Sequence, residues 1–170
     1  MDNKTQLRTR AKIIRKNLDM KAISLELTAG LREKTYYRSA RNVMIFHPLD
    51  GEVNVLNLTE DDKNFYLPKV EGNRLKVCPY RPGGELKISR FRVFEPCSAA
   101  VDTDIIDLVI VPALMADRSN YRLGYGGGFY DRFLAENPHI LSVVLIPAEL
   151  TVDTLPVETH DVKINYIISV

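Results

Sequence analysis

The stretch IIDLVIVP, residues 105–112, decides the fold: it is continuously apolar, rich in β-branched residues and closed by a proline. A short run of this kind reads as a strand buried on both faces, as in a parallel sheet covered by helices. Working outward, NVMIFHP (42–48), ILSVVLIP (140–147) and INYIISV (164–170) repeat the pattern. NFYLPKV (64–70) and RLKVCPY (74–80) read as further strands, and ELKISRFRVFEP (85–96) holds at least one more. Between them lie helical patterns. Residues 3–18 carry Leu7, Ala11, Ile14 and Leu18 at helical spacing, a second helix spans about 24–37, and a third lies near 128–136. The expected architecture is α/β: one domain over residues 1–170, with a mostly parallel sheet and helices on both faces. Ligands of such sheets sit beyond the carboxyl ends of the strands, so the segment 112–128 falls at the functional edge.

Composition narrows the class. The chain has 170 residues, 45% hydrophobic and 26% charged, the size and balance of one globular domain. No apolar run approaches the ~20 residues of a membrane span. The leading MDNKTQLRTRAKIIRKNL lacks the apolar core of a secretory signal, which points to the cytoplasm. Cys78 and Cys97 form no CxxC pair and read as reduced, buried thiols. His47, His139 and His160 are too scattered for a zinc site. Net charge is +1, but residues 1–41 hold 11 Lys/Arg against 4 Asp/Glu, and the remainder 12 against 18. The basic stripe Lys4, Arg8, Lys12 and Arg15 or Lys16 has two readings: a wall for an anionic ligand, or a solvated helix face.

The segment RLGYGGGFYDRF (122–133) places four glycines in five positions, between an arginine and an aromatic–acid pair. Each interior glycine costs roughly 0.5–1 kcal/mol relative to alanine, so the cluster implies unusual backbone geometry or close approach of a ligand. Bare amides leading into a helix N-terminus form a nest for phosphate oxygens, and Arg122 adds a fork of donors. A tight structural turn is the alternative. The pattern GxxxxGK[ST] is absent, and GxGxxG fails because its last position falls on Phe129. Neither of the common nucleotide loops fits.

DLVIVPALMADRSNYRLGYGGGFYDRFL resembles the motif region of the 5-formyltetrahydrofolate cyclo-ligase family, also called methenyltetrahydrofolate synthetases. KTQLR, FHPLDGEVN, FYLPKV, FEP and HDVKINYIIS agree with it in order, so the resemblance covers nearly the whole chain. It implies an ATP- and Mg²⁺-dependent enzyme that turns 5-formyltetrahydrofolate into 5,10-methenyltetrahydrofolate, releasing ADP and phosphate through a phosphorylated formyl (iminium phosphate) intermediate. It also implies a small-molecule substrate and a monomer, with no nucleic-acid or membrane partner.

Residue by residue, the resemblance assigns Lys4, Arg8, Arg122, Gly124, Gly126, Gly127 and Gly128 to ATP, with Arg122 and Tyr130 catalytic. His47, Glu52, Tyr125 and Phe129 fall to the folate, where a carboxylate at Glu52 accepts two hydrogen bonds from the pterin edge. Asp131 and Asp161 fall to the metal. The loop and Glu52 are expected at different strand ends. Three positions depart from the family pattern: Ala116 for a Phe, Asn120 for a Gly and Asn165 for an acid. Two other readings are a kinase or ligase for another small acid sharing only the phosphate loop, and an RNA-associated module using the basic helix. The second lacks any RNA-binding motif, and the acidic remainder of the chain repels a polyanion.

Overall fold

The computed structural model describes residues 3–170. Helix α1 (Lys4–Arg15) is opened by a capping box: the Asn3 side chain accepts from the Gln6 N–H, and the Gln6 side chain accepts from the Asn3 N–H. Helix α2 (Met20–Arg32) is capped by Asp19 and buries Leu27 and Leu31. Lys34 is extended, so the chain breaks there and restarts as the short α3 (Thr35–Ser39). The helix expected over 24–37 is therefore two helices, and the one expected over 3–18 stops at Arg15.

Strands β1 (Asn42–Met44), β2 (Asn64–Glu71), β3 (Arg74–Tyr80), β6 (Leu108–Ile110), β9 (Leu141–Ile146) and β11 (Tyr166–Ser169) form the main sheet. Their order is β11-β9-β6-β1-β2-β3, parallel throughout except for the β2–β3 hairpin. Two further strands, β4 (Leu86–Ile88) and β5 (Phe94–Pro96), make a separate hairpin.

The alternation of side chains explains why the strands are apolar throughout. Val43, Ile45, Leu108, Ile110, Val143 and Leu145 pack on one face with Leu27 and Leu31 of α2. Met44, Val109, Val111, Val144 and Ile146 pack on the other with Leu7 and Ala11 of α1 and Phe133 and Leu134 of the last helix, α4 (Phe129–Glu136). Helices thus cover both faces of a mostly parallel sheet, as the strand composition implied.

The segment 112–128 at that edge has its own structure. Strand β7 (Met115–Asp117) turns back as β8 (Arg122–Leu123), and β10 (Thr151–Val152) pairs parallel to β7. Asp117 is buried at the turn, where its side chain accepts from the N–H groups of Ser119, Tyr121 and Leu155. Asn120 takes φ 66°, the left-handed geometry that a glycine would adopt freely. Ala116 is fully enclosed, and the Asn165 side chain accepts from the backbone N–H and hydroxyl of Ser142, so both departures have packing roles.

One thiol expectation needs correction: Cys78 is buried, but Cys97 is exposed, because it follows the short β4–β5 hairpin rather than lying in the main sheet. Among the described residues no helix is long and apolar enough to cross a membrane.

Candidate functional site

Beyond the carboxyl ends of β1 and β6 lies a cavity of about 450 Å³. Its wall is assembled from α1, the segment after β1, the β2–β3 and β4–β5 hairpins, the glycine loop, the start of α4, and residues 158–161. Every residue singled out from the sequence as a site candidate lines this one cavity. Chemistry-bearing groups from segments more than 100 residues apart are brought within reach of one ligand.

The glycine loop runs from β8 into α4. Gly126 has φ 104° and Gly128, the N-cap of α4, has φ 66°. No side chain caps the helix, so its first N–H groups face the cavity end of the loop free of a capping partner. Arg8 Nε donates to the Gly124 carbonyl at 2.9 Å, which pins the loop to α1. A Cβ on Gly126 would stand 3.3 Å from the Arg8 guanidinium, so the bare backbone allows that cation to sit close.

Arg122 is buried at the root of the loop, with its guanidinium nitrogens 3.4 Å from the Asp131 carboxylate. Its Nε has no partner. Asp131, in the first turn of α4, also accepts from the Val162 N–H at 3.0 Å. Lys4 reaches across to Glu158 at 2.6 Å and Asp161 at 2.7 Å. Burial pulls the Lys4 pKa down, but the hydrogen bonds and charges of Asp161 and Glu158 outweigh it, leaving the pKa raised. Burial pushes Asp161 up, and Lys4, the Glu158 N–H and His160 together outweigh that, leaving it below its ordinary value. Single ligand atoms of Glu158, His160 and Asp161 lie within 4.8 Å of one another.

At the other end, Glu52 is buried with one carboxylate oxygen accepting from the Leu49 N–H at 2.7 Å and the other from the Tyr125 hydroxyl. Burial raises its pKa against the pull of those two donors and of Arg15. Glu52 follows β1 and the glycine loop follows β8, at different strand ends as expected, yet Tyr125, inside the loop, bonds the two together. His47 lies against Phe94 with ring centroids 4.7 Å apart, and desolvation lowers its pKa. Phe129 meets Phe91 of the β4–β5 hairpin edge-on at 5.4 Å. Tyr130 is held protonated by burial, with the Glu52 charge pushing in the same direction and Arg122 opposing.

Sequence reasoning missed Arg15, Glu158 and Phe91. Arg15 belongs to the basic stripe in sequence, yet it is buried and bonds Tyr125 and the Ala113 carbonyl. The signal was present: Leu7, Ala11 and Arg15 recur every four residues, which puts Arg15 on the apolar face. Glu158 and Phe91 carried no local pattern, because their placement depends on how remote segments fold back.

Comparison with known proteins follows this geometry. The model of the 5-formyltetrahydrofolate cyclo-ligase family matches residues 1–170. The 5-formyltetrahydrofolate cyclo-ligase of Haemophilus influenzae is 29% identical over 174 residues, covering 94% of this chain and 93% of the relative. That of Escherichia coli K12 is 31% identical over 142 residues, covering 76% and 78%. The solution structure of Aquifex aeolicus 5,10-methenyltetrahydrofolate synthetase superposes with a TM-score of 0.84 at 27% identity, covering 98% of this chain and 89% of that one.

Proposed function

The chain belongs to the 5-formyltetrahydrofolate cyclo-ligase family, and from that premise we propose how its cavity performs the family's ATP-dependent closure of 5-formyltetrahydrofolate to 5,10-methenyltetrahydrofolate. The observation that carries the assignment of parts is the polarity of the cavity. Lys4, Arg8, Arg122 and the loop glycines line it together with a buried carboxylate, Glu52, that forms no direct ion pair among the described residues.

A formyl oxygen is a poor leaving group. ATP makes it a good one by phosphorylation, after which N10 closes the ring and phosphate leaves with no other covalent help. The protein's contribution is position and charge. Lys4, Arg8, Arg122 and the amides of Gly124, Gly126, Gly127 and Gly128 would hold the phosphates. Glu52 keeps one free lone pair on each oxygen after the Leu49 and Tyr125 donors are counted, so it still accepts two pterin donors. His47, Phe129 and the exposed ring of Tyr125 supply the walls around the folate. Tyr130 lines the same cavity with its hydroxyl protonated, and it would serve as a donor to the reacting oxygen.

The acidic groups fit a hard cation. Asp131 and Asp161 offer carboxylate oxygens to the same cavity, a donor set suited to magnesium carried in with the phosphates. Magnesium supplies neutralisation of phosphate charge. Asp131 would hold it while also orienting Arg122, and Asp161 while also orienting Lys4.

The test is the appearance of methenyltetrahydrofolate absorbance on mixing protein, ATP, Mg²⁺ and 5-formyltetrahydrofolate, with each omitted in turn. Product is expected only with all present. Product without ATP, or none from the full mixture, overturns the reading.

A further inference from the structure

Arg15 does not line the cavity, yet it is only 8% exposed, and among the described residues it forms no ion pair with a carboxylate. Its Nη1 donates to the Tyr125 hydroxyl at 3.0 Å, its Nη2 to the Ala113 carbonyl, and its Nε is buried without a partner. A buried cation in this position requires a countercharge nearby. The one within reach is Glu52, also 8% exposed, on the far side of Tyr125.

Arginine has only donors, so the Tyr125 oxygen accepts from it, and the Tyr125 hydroxyl in turn donates to Glu52. The second Glu52 oxygen faces the Leu49 N–H, another donor. Both bonded neighbours present a proton to Glu52, an arrangement that favours the carboxylate form.

We propose that Arg15 is a positioning residue for the cyclo-ligase reaction: through Tyr125 it supplies the countercharge that keeps Glu52 a carboxylate aimed into the cavity, and it ties the glycine loop to that acid. The inference rests on the reading of Glu52 as the folate acceptor. It extends that reading by making α1 serve both ends of the site: Arg8 holds the loop at Gly124 and Arg15 holds it at Tyr125. Among the described residues, the charged or titratable groups facing Glu52 are Arg15 from α1, Tyr125 from the loop and Tyr130 from α4, with the Leu49 N–H from its own segment. Burial works against ionised Glu52, and Arg15 is one of the three influences opposing it. Losing it shifts the balance toward the protonated acid.

Two readouts test this on the full chain, in wild type, Arg15→Met, Arg15→Lys and Tyr125→Phe. The first needs no substrate: the side-chain carboxyl ¹³C shift of Glu52 is followed against pH. Arg15→Met should move its midpoint up by about one pH unit, Arg15→Lys should restore most of the difference, and Tyr125→Phe should move it the same way. The second is calorimetric affinity for 5-formyltetrahydrofolate. Arg15→Met should bind about 10-fold more weakly at pH below the wild-type midpoint, about two-fold more weakly at the new midpoint, and recover as pH rises above it. A merely structural role would weaken binding by one factor at every pH and leave the carboxyl midpoint in place; that result overturns the proposal. If Arg15→Met does not fold, Arg15→Gln, which keeps a donor for the Ala113 carbonyl but not the charge, is measured in its place and must move the Glu52 midpoint up; an unmoved midpoint overturns the proposal. A moved Glu52 midpoint with no folate binding by wild type would instead overturn the folate reading and leave the Arg15–Glu52 link standing.

Discussion

At the residue scale, Asp131 carries two duties that pull on one side chain. It offers oxygen to the cavity, and it is the countercharge of Arg122, whose side chain is 4% exposed against 13% for the acid. Asp131→Asn keeps size and the Val162 hydrogen bond but leaves Arg122 buried without a negative partner. Breaking a buried pair from one side costs about 3 kcal/mol, and an amide oxygen is a poorer ligand for a hard cation. The variant should unfold at lower urea concentration and lose most turnover, with its Mg²⁺ requirement moved to higher concentration. Unchanged urea stability together with an unchanged Mg²⁺ titration would reduce Asp131 to a helix-end acid. The acid's place in the motif was legible in the chain. Its pairing with Arg122 was not, because the two stand nine positions apart in the chain and only the curl of the loop closes that gap.

At the element scale, the glycine loop and α1 form one device. Lys4 and Arg8 stand one turn apart on α1, and Arg15 follows two turns after Arg8, so the helix presents its cations to the site at successive levels. The loop answers with geometry that only some residues tolerate. Gly128 caps α4 at φ 66°, and a Cβ there would stand 2.8 Å from Arg132 Nη1. Gly128→Ala should therefore destabilise the protein by about 1–2 kcal/mol and weaken nucleotide affinity, since the helix start must shift to relieve the strain. Urea unfolding and calorimetry with ATP check the two parts. Full stability would mean that the helix start is looser than its left-handed cap implies. Four glycines in five positions announced some such loop. The β7–β8 turn before it was hidden, because strands of three and two residues leave too short an apolar pattern to read.

At the scale of the whole molecule, Lys4 ties the first helix to Glu158 and Asp161 near the other end of the chain, 154 and 157 residues away. The link has a pH signature with a definite sign. Asp161 is held below its ordinary pKa, so its contribution is present above that ordinary value and lost as pH falls through the lowered one. Lys4 is held above its ordinary pKa, so its contribution is present below that value and lost as pH rises through the raised one. Urea unfolding of wild type should weaken as pH drops below about 4, and Asp161→Asn should show a shallower fall over that range. Parallel acid limbs in the two proteins would mean that the clamp contributes nothing to stability.

The sequence by itself determined the layering and the address of the site. Continuous apolar runs require cover on both faces, and a glycine-rich turn after such a run must sit at the strands' carboxyl edge; both follow from local composition and periodicity. Only the tertiary structure decided which charges became partners. Whether Arg15 was a solvated stripe residue or a buried one facing Glu52, and whether Glu52 stood apart from the glycine loop or bonded to it through Tyr125, depended on contacts 73 to 110 residues apart in the chain. Periodicity reports the face of a helix or strand. It does not report what the rest of the fold brings against that face, and it is burial against a particular partner that sets a side chain's charge and direction.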